Sequence, residues 1–168
     1  MTLEDMFPVA ELAAGAVDAE LAAEMRASIT GYRRYALLDR GSYEIAAPSS
    51  PVLDRGIARI IALASELTAR RLVAYETRAL RLTAGDYLLA RHDRVFEGRP
   101  LELVLDLSPT PVQAEIQYRR LGQVFFRMPC SPRSLAIVER TPAITCNHSY
   151  VSKLRLGVEI VRLAVLAR

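Results

Sequence analysis

The spacing of apolar residues changes about 70 residues into the chain. Upstream, they recur at three- and four-residue intervals. Asp18 is an N-cap residue for a helix running to about Ser28, with Leu21, Met25 and Ile29 on one face. Ser50-Pro51 pairs an N-cap with proline at the first helical position. The helix it starts carries Leu53, Ile57, Ile60, Ile61, Ala64 and Leu67 in a single stripe, the pattern of a helix lying on a sheet. Between the helices, Tyr35–Leu38 and Tyr43–Ile45 read as short strands around an Asp39-Arg40-Gly41 turn.

Downstream the period becomes two. Val73–Leu82 and Tyr87–Asp93 read as strands on either side of Ala84-Gly85-Asp86. Leu101–Leu107 alternates, with Glu102 and Asp106 at its polar positions. Ala114–Arg119 and Gln123–Met128 form a hairpin around Leu121-Gly122, and Ser134–Glu139, Ala143–Tyr150 and Val158–Ala167 complete the set. The expectation is a mainly β fold with N-terminal helices. Residues 1–168 form one domain, with 1–71 as mostly helical support and 72–168 as the β core. Two helices followed by about eight antiparallel strands fit a jelly-roll-like double sheet with the helices packed on one face. The interior of such a roll is where a small ligand binds.

Composition agrees and narrows the function. The 168 residues are 51% apolar and 24% charged, which suits a packed domain rather than a disordered chain. At this length one core buries roughly 70% of the unfolded surface, so folding requires no disulfide or structural metal. No apolar run approaches the roughly 20 residues of a membrane span, and the acidic start Met1–Met6 lacks the basic region of a secretory signal. The expected location is the cytoplasm, with no membrane partner. Cys130 and Cys146 have no metal-site spacing and read as reduced thiols.

The net charge is +3, from 22 basic and 19 acidic residues, and Lys153 is the only lysine. The arginines are scattered, without the basic stripe and interleaved aromatics of a nucleic-acid surface. A small anionic substrate fits better than a polymer. The apolar helix and strand surfaces permit a homodimer.

Three residues could hold a metal. His92, Asp93 and His148 are the raw material of a two-His-one-carboxylate Fe(II) site; alternatively, each histidine serves only local hydrogen bonds at a strand end. Arg162 shares one strand face with Val158, Ile160, Ala164 and Leu166. Pointing inward, its guanidinium needs an anion, since an unpaired buried charge costs several kcal/mol. A carboxylate ligand held by a two-pronged contact satisfies it, as does a protein carboxylate such as Asp106 or Glu115. Cys146 shares parity with His148, and Glu115, Glu139 and Tyr150 are weaker acid–base candidates.

The run Leu82-Thr83-Ala84-Gly85-Asp86-Tyr87-Leu88-Leu89-Ala90-Arg91-His92-Asp93-Arg94, then Leu101–Ser108, Ser134–Val138, His148 and Arg162–Leu166, resembles the Fe(II)/2-oxoglutarate-dependent dioxygenases, especially their prolyl-4-hydroxylase-like branch. The resemblance covers roughly residues 72–168. It implies a double-stranded β-helix, Fe(II) and 2-oxoglutarate as cofactors, and hydroxylation of a small substrate, free or presented by a carrier protein. It places His148 as the distal metal ligand and Arg162 on the far carboxylate of 2-oxoglutarate, with Tyr87 or Tyr75 adding a hydroxyl.

One departure concerns the proximal pair. The family's pattern is His-x-Asp, with the two ligands sharing a strand face. Here His92 and Asp93 are adjacent, so either Arg91 or Arg94 stands in a ligand position unless a β-bulge turns both toward the metal. Two further readings therefore stay open. One is a metal-free enzyme on the same fold, doing non-oxidative acid–base chemistry on an anionic substrate with His92 or His148 moving protons. The other is a binding protein without turnover.

Overall fold

The computed structural model describes residues 8–37 and 39–168, with all their side chains except that of His92. The two helices stand where the stripes place them. In α1 (Ala19–Ser28), the Asp18 carboxylate accepts from the Leu21 N–H at 2.7 Å; in α2 (Pro51–Thr68), the Ser50 hydroxyl accepts from the Leu53 N–H at 3.2 Å. The helices touch where Gly56 meets Met25. A Cβ on Gly56 would stand 2.2 Å from the Met25 sulfur, so any larger residue here forces the end of the Met25 side chain to move.

Among the described residues, eleven strands form one sheet. They are β1 (Ala10–Ala13), β2 (Arg33–Leu37), β3 (Gly41–Ala46), β4 (Ala74–Leu82), β5 (Tyr87–Leu88), β6 (Leu101–Asp106), β7 (Val112–Arg120), β8 (Gln123–Cys130), β9 (Leu135–Glu139), β10 (Ile144–His148) and β11 (Ile160–Ala167). Their order is β1-β9-β6-β11-β4-β3-β5-β10-β7-β8, with β2 alongside β3, and neighbours pair antiparallel. The sheet rolls over on itself. Val104 of β6 and Ala136 of β9 share an apolar cluster with Ile116 and Tyr118 of β7, although these strands are far apart in the order. The result is a double-stranded β-helix.

Strand alternation then sorts every side chain. The odd positions Leu103, Leu105, Ile137, Leu163 and Val165 face outward onto Met25, Leu53, Ile60 and Ala64 of the helices. Each such fully buried side chain contributes about 1.5–3 kcal/mol. The even positions of β6 and β11 face into the roll, and these include Glu102, Asp106 and Arg162.

Besides shifts of one or two residues at strand ends, the structure differs from the sequence reading in four places. A short strand, β1, precedes α1, and four residues carry too little alternation to announce it. The first expected strand starts at Arg33, and its expected end, Leu38, lies outside the described residues. The hairpin is longer than expected, and its Leu121-Gly122 turn has both φ values positive (52° and 76°), as a two-residue hairpin turn demands. Most consequentially, the strand expected over Tyr87–Asp93 stops at Leu88. Leu88 pairs with both Gly41 and His148; beyond it the chain makes a single 3-10 turn, Ala90–His92. Opposite-face alternation therefore does not govern His92 and Asp93.

Buried Asp86 pins this corner. Its carboxylate accepts from Arg34 Nη1 (2.7 Å), Ser42 Oγ (2.9 Å), the Thr83 N–H (2.9 Å) and Thr83 Oγ1 (3.2 Å), tying β2, β3 and the β4–β5 turn together.

Candidate functional site

A cavity of about 230 Å³ opens inside the roll. It is smaller than the roughly 300–1,000 Å³ of drug-sized pockets, so it suits a small organic molecule. Its apolar walls come from Tyr43 and Ile45 of β3, Leu80 of β4 and Val104 of β6; its polar ones come from Arg78, Asp93, Arg94, Glu102, Cys146, His148 and Arg162.

Arg162 is 2% exposed. Its Nη1 donates to His148 Nδ1 at 2.7 Å, across from β11 to β10. A guanidinium only donates, so Nδ1 accepts and the ring carries its proton on Nε2. His148 is held neutral: burial, then the nearby charges of Arg162, Arg140 and Arg78, push its pKa well below 6.5. Burial also lowers the pKa of Arg162. Neither protein carboxylate expected for Arg162 forms an ion pair with it. Asp106 sits opposite in register, yet among the described residues its Oδ2 has no hydrogen-bond partner, and neither has Arg162 Nη2. Glu115 is engaged by Arg127 and Gln117. A buried guanidinium nitrogen without an acceptor is expensive, and such a group marks a place for a ligand or ordered water. Arg78, on the inward face of β4, lines the same cavity half-buried, with no hydrogen bond or ion pair among the described residues.

The cavity's other end is an internal ion cluster. Arg140 follows β9 and is fully buried. Its Nη1 donates to Glu102 Oε1 at 2.8 Å and lies 3.8 Å from Cys146 Sγ, while Nη2 pairs with Asp93 Oδ2. The guanidinium carbon stands 4.5 Å from the Phe96 ring centroid and 5.6 Å from that of Tyr118, whose hydroxyl also donates to Glu102 at 3.3 Å. Burial opposes the charge on Arg140, but Glu102, Cys146 and Asp93 outweigh it and raise its pKa above the ordinary guanidinium value. Burial raises the pKa of Asp93 despite Arg140 beside it, and also raises the thiol of Cys146.

Asp93 is fully engaged. Oδ2 accepts from Arg140 and from the Cys146 N–H (2.8 Å); Oδ1 accepts from the Arg94 N–H (2.9 Å). The backbone of His92 ends the 3-10 turn, and its side chain lies outside the described residues. Arg91 reaches away, to the carbonyl of Asp39 at 3.0 Å; Arg94 pairs with Glu76 at the cavity rim. Tyr87 falls on the opposite face of β5 from Leu88 and lines a separate surface depression with Tyr150 and Asp86. Tyr75 is exposed beneath Arg168. The hydroxyl-bearing ring at the main cavity is Tyr43.

The sequence reading missed Arg140, Glu102 and Arg78. Glu102 and Arg78 carried a signal, since both share strand parity with inward residues. Arg140 carried none, because it follows the strand in an irregular segment.

The described donors do not fit an Fe(II) ion. Among the described residues no three of His, Cys, Asp and Glu converge as a metal-binding group. Both oxygens of Asp93 are occupied, one of them by a cation, and a second cation faces His148.

No family model and no curated protein matches the sequence. The fold, however, has close counterparts among solved structures. A Pseudomonas putida prolyl-4-hydroxylase superposes with a TM-score of 0.71 at 14% identity, over 98% of this chain and 95% of that one. The viral collagen prolyl hydroxylase of Paramecium Bursaria Chlorella virus-1, solved as a 2-oxoglutarate complex, gives 0.67 at 13%, over 95% of each. The epimerase SnoN, solved with Fe3+, alpha-ketoglutarate and nogalamycin RO, gives 0.67 at 14%, over 94% of this chain and 78% of that one. The chain thus has the double-stranded β-helix fold of the 2-oxoglutarate and Fe(II) oxygenases. Among the described residues, no helix is long and apolar enough to cross a membrane.

Proposed function

We propose that this protein binds a small organic carboxylate inside its β-roll without iron, and that Arg162, His148 and Arg78 hold it. The observation that carries this reading is the buried Arg162 Nη2, which has no acceptor among the described residues and lies beside a cavity of suitable size. Among the described residues, three side chains on this side of the cavity offer donors. Arg162 offers Nη2, neutral His148 offers Nε2–H, and Arg78 offers a half-buried guanidinium. The two carboxylates at the other end are both paired with Arg140. A ligand carboxylate, or an oxyanion developing on it, completes the set. As an enzyme, the protein would act by this donor array on an anionic substrate, and His148 serves as a hydrogen-bond donor rather than as a base at Nδ1.

The test is calorimetric titration of 2-oxoglutarate and of succinate into the protein with chelator present. Binding to the wild type and its loss in Arg162→Met is expected. Equal binding by both proteins, or none by the wild type, overturns the reading.

A second reading, a small Fe(II)/2-oxoglutarate oxygenase acting on a free or carrier-presented substrate, is favoured by the structural neighbours and by Asp93 and His148 sharing one cavity. It requires Asp93 to leave Arg140 and His148 to leave Arg162, with His92 as the third ligand. Succinate release from 2-oxoglutarate that depends on Fe(II) supports it.

A further inference from the structure

We propose that the cavity selects an ω-amino carboxylate, with its carboxylate on Arg162 and its ammonium on Glu102. This rests on the carboxylate reading and adds the chemistry of the ligand's far end. The two ends of the cavity differ in charge. Arg162 and Arg78 line one, and Asp93 and Glu102 line the other. Among the described residues, Arg140 is the one cation paired with those two carboxylates, so that end keeps an excess of one negative charge. Arg94, which also lines the cavity, is already paired with Glu76. Burial raises the pKa of Asp93, and the charge of Glu102 adds to the rise against the pull of Arg140, as expected of two carboxylates sharing one guanidinium.

The open acceptor at this end is on Glu102. Asp93 accepts three hydrogen bonds, shared between both its oxygens. Among the described residues, both hydrogen bonds to Glu102, from Arg140 and from Tyr118, fall on Oε1, which leaves Oε2 without a donor. A carboxylate oxygen short of a donor and a guanidinium nitrogen short of an acceptor therefore belong to the walls of one cavity. Strand register sets them apart. Arg162 stands opposite Asp106, Ala164 opposite Val104, and Leu166 opposite Glu102, so an apolar pair lies between the two ends. On β10, His148 meets Arg162 and Cys146 meets Arg140, and these positions are two residues, or about 7 Å, apart. A carboxylate and an ammonium joined by a short methylene chain span that interval along apolar walls. An α-amino acid would set its ammonium against Arg162 and Arg78, and a dicarboxylate would set a second anion against Glu102 and Asp93.

The probes are 5-aminopentanoate, pentanoate and glutarate, which share a carboxylate and a similar chain length and differ at the far end. Each is titrated calorimetrically with chelator present. The wild type is expected to bind 5-aminopentanoate about 10- to 100-fold more tightly than pentanoate, the range of one charge-assisted hydrogen bond, and more tightly than glutarate. In Glu102→Gln, which keeps the side chain's shape and an acceptor for Arg140 and Tyr118, the advantage over pentanoate is expected to vanish. Pentanoate or glutarate binding as tightly as 5-aminopentanoate overturns the selection and leaves the carboxylate reading standing. An ammonium advantage that survives Glu102→Gln also overturns it. Binding of none of the three overturns both readings. The comparison of the three ligands on the wild type decides the matter even where Glu102→Gln does not fold.

Discussion

Arg162 of β11 and His148 of β10, with three strands between them in the sheet order, meet inside the roll, with the guanidinium Nη1 2.7 Å from the imidazole Nδ1. A buried cation has thus found a neutral partner where an anion would serve better. Arg162→Met together with Asp106→Asn removes a buried cation and the buried anion opposite it in register while keeping much of the volume, so stability is expected to rise by about 1–2 kcal/mol, read as a higher urea midpoint. The same change removes a charge-assisted contact worth about 1.5–3 kcal/mol and weakens carboxylate binding by roughly 10- to 100-fold. A lower urea midpoint with unchanged affinity contradicts this account of Arg162.

The neutrality of His148 makes folding pH-dependent. Its folded pKa lies well below 6.5, whereas the unfolded chain takes up the proton near 6.5. The unfolded state therefore binds more protons between those limits, and stability is lost as pH falls through about 6.5. Asp93, whose folded pKa is raised above 3.8, acts in the opposite sense in more acid solution. Thermal midpoints are expected to drop from pH 7.5 to pH 5.5, and His148→Asn is expected to flatten that slope. An identical slope in wild type and variant places the titration elsewhere.

Arg140 is the other buried arginine, and its removal has the opposite consequence to that of Arg162. Arg140→Met strands Asp93 and Glu102 as buried charges, a loss of about 3–5 kcal/mol. Adding Asp93→Asn and Glu102→Gln removes those charges and is expected to recover at least half of the loss in urea denaturation. No recovery would mean that packing against Phe96 and Tyr118, not charge, is what Arg140 supplies.

The helix contact is also testable. Gly56→Ala adds a methyl against buried Met25; overpacking costs about 1–3 kcal/mol, against a helix-propensity gain of about 1 kcal/mol. The net change is expected to be destabilising in the wild type and stabilising in a Met25→Ala background. A double-mutant cycle reads the coupling between the two residues directly.

Much of the fold is legible in the sequence, because each element has a local cause. Asp18 and Ser50-Pro51 announce the helices, and alternation from Leu101 to Leu107 places Glu102 and Asp106 on one face. The inward direction of Arg162 follows from the same parity. The site is only half legible. Strand parity says nothing once the strand ends at Leu88, so the orientation of Asp93 depends on the Cys146 N–H, 53 positions away. The partnership of Asp93 with Arg140 spans 47 positions and joins two irregular segments. No periodicity encodes such a contact.

The most direct measurement is 2-oxoglutarate affinity compared between chelator-treated protein and protein supplied with Fe(II) in the absence of oxygen. If Asp93 stays held by Arg140 and His148 by Arg162, and Arg162 awaits a carboxylate, iron finds no ligands and the two affinities are equal. Binding that appears only with Fe(II), and disappears in His148→Ala, would show that the roll is an iron site after all.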